Sequence, residues 1–515
     1  MNAAESLIAT ARAAGIDACF ANPGTSEMAL VAALDAVPGI RPVLGLFEGV
    51  CTGAADGFAR MTGRPAMTLL HLGPGLANGL ANLHNARRAR TPVLNVVGEH
   101  ATWHLGTDSA LESDIEGLAA PVSAWVRTSR SASAVATDCA DALAAATAAP
   151  GQVATLIVPA DLQIAPADAP AAVSKPQGPA APDPTRIAAV IERLRRGAPT
   201  ALYVGGPACA SVALSHAARI TAASGCRLFV EGFPARMERG AGTPSAERFP
   251  YFPEQVPGVL AGTTCVVVVG APPPVALFGW PGSPSRMLPA EIDLLCLASA
   301  EEDVAAALAA VADELGASVD RQSLAPFDPP PKPSGGLDGA TLTAAVAATL
   351  PEHAVVVDEG ATSSVLLYPA LASAAPHSWL TLTGGAIGQG LPCATGAAIA
   401  CPDRRVVSFQ ADGSGLYTMQ ALWTQAREAL DVTTIVCANR AYRILQIELQ
   451  RAGMPRTGRA TRGLTDLGGP DIDWGHLAAG VGVPAVRVND ADALVRALEH
   501  AHAEPGPHLI EAVLA

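Results

Sequence analysis

Short apolar runs alternate with helix-length stretches along this chain, and glycine- and proline-rich turns separate them. Residues 406–409 and 434–437 are two such runs, too short for buried helices and without polar alternation. They read as strands of a parallel sheet covered on both faces. The stretch 414–429 between them reads as their connecting helix. Residues 42–47 read as a further buried strand. Alternating strands and helices of this kind predict an α/β fold. Two Pro/Ala-rich stretches, 165–184 and 325–336, read as extended linkers. They leave blocks 1–164, 185–322 and 337–515, each of ordinary domain size and each expected to be a doubly wound parallel sheet.

Composition narrows the function classes. The 515 residues suffice for two to four domains, and half are apolar while 4% are aromatic, so Ala, Val and Leu must fill the interiors. A net charge of −14 with 33 Lys and Arg argues against general affinity for nucleic acid or anionic membranes. The basic cluster Arg87-Arg88-Ala-Arg90 is too short to reverse that and reads as the solvated end of a helix. Ten cysteines without a Cys-x-x-Cys pair suggest neither a zinc site nor a disulfide framework. They read as small buried hydrophobes in a reducing cytoplasm. The N-terminus has no basic region followed by an apolar one, and the apolar run 265–270 meets Pro272, Pro273 and Pro274 long before membrane-spanning length. A soluble, cytoplasmic protein is expected.

The strand tips carry the chemistry. Asp412 and Asn439 would end neighbouring strands, where open α/β sheets bind ligands. A carboxylate and an amide oxygen beside the turn Asp412-Gly413-Ser414-Gly415 suit a hard cation holding a diphosphate. The competing reading is a helix-capping Asp and a turn Asn. The two lie 27 residues apart (439 − 412). The segment resembles the signature of thiamine-diphosphate enzymes, Gly-Asp-Gly-Ser followed by Asn-Asn, with Ala411 and Ala438 departing from it. The resemblance implies Mg²⁺ bound by the side chains of Asp412 and Asn439 and by the Ala441 carbonyl, with Gly413 and Ser414 beside the cofactor.

The first and third blocks also look alike. Thr52-Gly-Ala-Ala-Asp-Gly57 resembles Thr395-Gly-Ala-Ala-Ile-Ala400 at an offset of 343 (395 − 52), and a slip of two places His71 on Asp412 and Gly98 on Asn439. A duplicated unit fits a family whose pyrimidine-binding and diphosphate-binding domains share a fold and meet across a subunit interface. Glu48, after the expected strand 42–47, resembles that family's glutamate, which bonds the aminopyrimidine ring and so promotes loss of the thiazolium proton. Its competing reading is a first-turn helix glutamate favoured by the dipole.

Further segments resemble the benzoylformate decarboxylase and acetolactate synthase branch. Asn22-Pro-Gly-Thr-Ser-Glu27 resembles the loop whose hydroxyl touches the substrate carboxylate, which implies that role for Thr25. Leu70-His71-Leu-Gly-Pro-Gly75 places His71 at an active-site histidine, able to relay protons near neutral pH; its competing reading is a hydrogen-bonded core histidine. Ala421-Leu-Trp-Thr424 resembles a helix of the diphosphate domain. Gly384-Gly385-Ala-Ile387 resembles the turn that bends the cofactor over an apolar residue, here Ile387. Glu359-Gly-Ala-Thr362-Ser resembles the diphosphate-gripping loop, and Leu445 stands where pyruvate decarboxylases have a glutamate. Leu277 falls where benzoylformate decarboxylase has its second histidine. No tryptophan stands in 444–462, where acetolactate synthases select their acceptor. Glu99, His100 and His104 are pocket candidates, with surface-loop roles favoured for the histidines.

The resemblance thus implies pyrimidine-binding, middle and diphosphate-binding domains, thiamine diphosphate and Mg²⁺ as cofactors, and a homodimer or homotetramer with its active site at the subunit interface. The middle block shows no FAD-binding pattern, so FAD is not expected. The activity implied is decarboxylation or carboligation of a 2-oxo acid. The alternatives are acetolactate synthesis from pyruvate and a catalytically silent cofactor-binding homologue. A nicotinamide-binding protein ranks last, for want of a Gly-x-Gly-x-x-Gly turn.

Overall fold

The computed structural model describes residues 1–318 and 324–514; residues 319–322 of the expected middle block, and Ala515, lie outside them. The chain forms two compact units. Unit 1 comprises Met1–Pro176, Pro330–Leu367 and Thr381–Ala515, and unit 2 comprises Gln177–Pro329 and Tyr368–Leu380.

The N-terminal part of unit 1 holds strands β1 (Ala18–Asn22), β2 (Arg41–Leu44), β3 (Ala66–Leu70), β4 (Val93–Glu99), β5 (Trp125–Thr128) and β6 (Val153–Pro159). All pair in parallel, in the order β2-β1-β3-β4-β6-β5. β3, β4 and β6 are buried on both faces, which explains their uninterrupted apolar runs.

Unit 2 contains β7 (Thr200–Val204), β8 (Arg227–Val230), β9 (Met237–Arg239), β10 (Glu247–Arg248), β11 (Cys265–Val269) and β12 (Asp293–Ala298). Its parallel sheet runs β10-β8-β7-β11-β12. The strand β9 pairs antiparallel with residues 377–379. Leu277 lies exposed in the β11–β12 connection.

The C-terminal part of unit 1 carries β13 (Val355–Glu359), then β14 (His377–Thr381) whose last residue alone belongs to it, then β15 (Val406–Ala411), β16 (Val432–Ala438), β17 (Ala485–Val488) and β18 (His508–Val513). Five of these run in parallel as β17-β18-β16-β15-β13. Read from β13, that order reproduces β1-β3-β4-β6-β5 strand for strand, as a duplicated unit requires.

The repeated Thr-Gly-Ala-Ala motifs lie at the crossing of two helices, Glu48–Thr62 and Gly390–Ala400. A Cβ at Gly57 would lie 2.1 Å from the Cys393 carbonyl oxygen, and one at Gly396 would lie 1.8 Å from that of Ala54. Only residues without a side chain permit this approach. Asp56 and Arg60 form a buried pair there, 2.6 Å apart, and reach beyond their own helix. Asp56 accepts from the Gln389 amide at 2.6 Å, and Arg60 donates to the Thr381 carbonyl at 2.8 Å and the Thr383 hydroxyl at 2.9 Å. Each buried charge is therefore paired and hydrogen-bonded, which burial demands.

Two expected elements differ. The helix expected over 414–429 is broken into a turn Asp412–Gly415 and a helix Ala421–Arg427. Between them, Thr418 donates its hydroxyl to the Gly388 carbonyl at 2.8 Å, a tertiary bond that turns the chain away from helical continuation. The strand expected over 42–47 ends at Leu44, leaving Gly45, Leu46 and Phe47 as the turn that leads into the helix bearing Glu48. No helix among the described residues is long and apolar enough to cross a membrane. None of the ten cysteines forms a disulfide, and eight are buried.

Candidate active site

Two groups of side chains form at the C-terminal ends of the two repeated sheets. In the first, β3 ends at Leu70 and His71 immediately precedes the helix Leu72–Ala89 without a side-chain capping bond. Leu72 is buried yet holds φ +50, a left-handed conformation that is strained for a branched side chain. The His71 ring is held against Gly24, where a Cβ would stand 2.3 Å from Nδ1. Its Nδ1 pairs with Glu27 Oε2 at 2.8 Å. That same oxygen accepts the Gly24 backbone N–H at 2.7 Å. Burial pushes the Glu27 carboxyl above the usual glutamate range, against the pull of its donors. Thr25, exposed, opens the short 3₁₀ turn that carries Glu27.

Glu48 lies 7% exposed in the first turn of its helix, so the dipole reading and the site reading describe one position. Its Oε2 accepts from Asn78 Nδ2 at 2.9 Å, and Oε1 would lie 3.1 Å from a Cβ at Gly75. Gly75 stands in the first turn of the helix that His71 precedes. His71, Glu27, Glu48 and the Thr25 turn thus share one neighbourhood.

The second group is at the tips of β13, β15 and β16. Asp412, 3% exposed, follows β15, and its two oxygens accept the backbone N–H groups of Gly413 at 2.8 Å and Arg440 at 2.7 Å. Burial raises its carboxyl above the ordinary aspartate value, and those N–H groups pull it back. The bond to Arg440 ties Asp412 to the loop carrying Asn439 and Ala441. Arg440 takes φ +57 between them.

The Tyr442 N–H donates to the Thr465 carbonyl at 2.9 Å, and the Arg440 carbonyl accepts from Leu467 at 2.8 Å. Backbone groups alternate in direction along such a bridge. Those of Ala441 therefore face the other way, where its N–H meets the Asn439 amide oxygen at 3.0 Å. A buried carboxylate, an amide oxygen and a carbonyl so gathered are the oxygen donors that Mg²⁺ prefers. A cation there would also offset the cost of burying Asp412. No cluster of three or more His, Cys, Asp or Glu suited to a metal exists among the described residues.

Thr362 follows Ala361, which takes φ +51 in the turn after β13. Asp358 fastens that turn by accepting from the Ser364 hydroxyl and, at 3.2 Å, from the Gly360 N–H. The hydroxyl of Ser414 is engaged by Gln410 Nε2 at 2.6 Å. Gly385 and Gly388 have φ +74 and +95 on either side of Ile387, which is half-buried. Leu445 is exposed on the helix Arg443–Arg451.

Sequence reasoning missed the groups that hold these loops. Glu359, at the end of β13 and 4% exposed, accepts the N–H groups of Gly388 and Gly390, each at 2.5 Å. Burial pushes its carboxyl up to about 7. From the other side, Asn85 Nδ2 donates to the Ala386 carbonyl at 2.7 Å, and Asn82 Nδ2 donates to Gly388 at 3.2 Å. Asn78, Asn82 and Asn85 follow helical spacing, a polar stripe legible in the sequence before its purpose was. Glu27 lies inside a motif read only for its threonine.

Glu99 is buried at the tip of β4, with its carboxyl raised by burial, and accepts the His100 N–H at 2.7 Å. The His100 and His104 rings meet edge to face, half-buried, and His100 Nε2 contacts Ser109 Oγ at 3.2 Å.

Residues 1–120 match the family described as thiamine pyrophosphate enzyme, N-terminal TPP binding domain, and residues 360–512 match its C-terminal TPP binding domain. Over its whole length the chain is 50% identical to a Mycobacterium tuberculosis protein provisionally named acetolactate synthase large subunit IlvX, covering 99% of it. It is 28% identical to the benzoylformate decarboxylase of Pseudomonas aeruginosa, with 96% of each chain covered. Among solved structures, the thiamine diphosphate-dependent 4-hydroxybenzoylformate decarboxylase of Rhodococcus jostii RHA1 superposes with a TM-score of 0.88 at 26% identity, covering 100% of this chain and 99% of that one.

Proposed function

The chain belongs to the thiamine pyrophosphate enzyme family, and we propose that it decarboxylates, or joins to an acceptor, a 2-oxo acid with Mg²⁺ as the second cofactor. It is a thiamine-diphosphate-dependent enzyme related to both acetolactate synthases and benzoylformate decarboxylases. The observation that carries the finer reading is the gathering of Asp412, Asn439 and the Ala441 backbone at adjacent strand tips.

When bound, thiamine diphosphate supplies the electron sink for the pair left behind as CO₂ departs. Asp412, Asn439 and the Ala441 carbonyl would hold Mg²⁺, and Thr362 with the Gly413–Ser414 turn would meet the diphosphate. Ile387, raised between Gly385 and Gly388, would support the bent cofactor. Glu48 would hold a proton against the aminopyrimidine. His71, oriented by Glu27, would pass protons to and from the substrate, and Thr25 would orient its carboxylate. Leu445 would keep water from the reacting carbon.

Large apolar side chains stand exposed beside both groups: Met28 and Leu46 by the first, Leu416, Tyr417 and Leu445 by the second. This exposure supports a homodimer or homotetramer in which Glu48 of one copy serves the cofactor held by another. A cytoplasmic location belongs to this reading, since buried thiols keep best in reducing surroundings.

The test is cofactor analysis of the purified protein, followed by product assays on pyruvate, benzoylformate and a wider 2-oxo acid panel with and without Mg²⁺. Release of CO₂ that requires both cofactors is expected. Tight thiamine diphosphate binding with no turnover of any 2-oxo acid would instead favour a catalytically silent homologue.

A further inference from the structure

Residues 443–465 form an excursion that leaves the sheet directly after Ala441 and returns to pair with the same loop. Its base is closed by the two backbone bonds that orient Ala441, Tyr442 N–H to Thr465 and Leu467 N–H to Arg440. Its first helix, Arg443–Arg451, lies against Ala361–Ser363, the turn bearing Thr362, and against its second helix, Arg459–Thr465. The excursion is therefore fastened to the strand tips where the cofactor's charged end is placed.

Its charge is opposite to that of the chain. Five arginines stand there against one acidic residue, Glu448, in a protein of net charge −14. Glu448 is taken by Arg451 at 2.8 Å. Arg456, Arg459 and Arg462 are exposed and have no acidic partner among the described residues. Arg459 and Arg462 are one turn apart and so share a helix face. Arg459 lines a shallow hollow together with Ala460, Gly463 and Leu464. Arg462 lies roughly 5 Å along the helix from Thr465, which bonds Tyr442 beside Ala441.

Unpaired guanidinium groups in an acidic protein attract anions and bind carboxylate or phosphonate oxygens in pairs. The charged side chains named around His71, Glu27 and Glu48, are both acidic. Resting on the function proposed above, we propose that Arg459 and Arg462, with Arg456 beside them, bind a second anionic group on the substrate. The 2-oxo acid would then be one carrying a further carboxylate or phosphonate remote from its keto-acid end.

Holoenzyme loaded with thiamine diphosphate and Mg²⁺ is assayed with pyruvate, 2-oxoglutarate and phosphonopyruvate, the last two separating a carboxylate from a phosphonate. At least one dianion is expected to exceed pyruvate in kcat/KM by tenfold or more. In an R459Q/R462Q variant, its KM is expected to rise ten- to a hundredfold, with kcat, cofactor affinity and the pyruvate rate unchanged. The R459K/R462K variant is expected to recover part of the loss. Preference for pyruvate over both dianions would overturn the proposal, as would a variant that weakens all substrates alike or loses cofactor, which would assign the arginines to the diphosphate.

Calorimetric binding of unreactive glutarate against butyrate gives a readout independent of turnover. Glutarate is expected to bind the wild type tighter than butyrate does, and to lose that advantage in R459Q/R462Q. Equal binding of the two would count against the strip. If no 2-oxo acid is turned over, the proposed function fails, while this titration still decides whether the strip selects dianions.

Discussion

The ends of β3 and β15 occupy equivalent places in two sheets of the same strand order, and the chain sets unlike side chains there. After β3 comes His71, a ring held by the Glu27 carboxylate, on a turn strained at Leu72. After β15 comes Asp412, whose carboxylate is held entirely by backbone N–H groups. The first arrangement depends on a side-chain partner whose protonation can change. The second fixes a negative charge with groups that cannot titrate. The first suits moving protons, and the second suits holding a cation. Strain follows the same division, for Leu72, Ala361 and Arg440 all adopt left-handed φ values directly beside residues assigned to the chemistry.

The largest expected effect breaks the cation side alone. Asp412→Ala should abolish Mg²⁺-dependent turnover, by a thousandfold or more, and leave no thiamine diphosphate on the protein after gel filtration while circular dichroism is unchanged. Glu48→Gln strikes the proton side. A loss of roughly 10²- to 10³-fold in kcat is expected, with cofactor retention intact; full activity in this variant would remove Glu48 from the mechanism.

A smaller effect separates the two sides by pH. The Glu359 carboxyl is pushed by burial from 4.5 to about 7 in the folded chain. Its contribution to stability is therefore complete below pH 4.5 and is lost as the pH rises through 7. Over that window the wild type should lose roughly 3 kcal/mol of unfolding free energy relative to Glu359→Gln, measured by urea titration at several pH values. The smallest effect sharpens the histidine side. Glu27→Gln should slow turnover about tenfold near neutral pH and flatten the acid limb of kcat/KM, because the wild-type carboxylate gives up His71 as it takes a proton. An unchanged pH profile would leave Glu27 with a structural role only.

The strands were legible because burial on both faces writes continuous apolar runs, as at β15 and β16. The polar tips were legible because Asp412, Asn439, Glu48 and His71 each stand where such a run stops. The helix expected over 414–429 was not, since the bond from Thr418 to Gly388 joins residues 30 apart and leaves no local trace. Glu359 escaped for a related reason: its partners are backbone N–H groups of a distant glycine turn, and backbone groups carry no sequence signal. The Thr-Gly-Ala-Ala repeat was visible as a likeness, but its use as a helix crossing became clear only from the contact of Gly57 with Cys393 and of Gly396 with Ala54.

That crossing has a consequence for the history of the chain. A joint with no room for a methyl group cannot be widened from one side, because any enlargement at either motif meets the main chain of the other. Each of the two like units therefore acts as a gauge for the other: the two can differ at their tips, where one carries a histidine and the other an aspartate, while their seam stays at one spacing. Descendants are expected to vary the chemistry long before they vary the hinge between its two workshops.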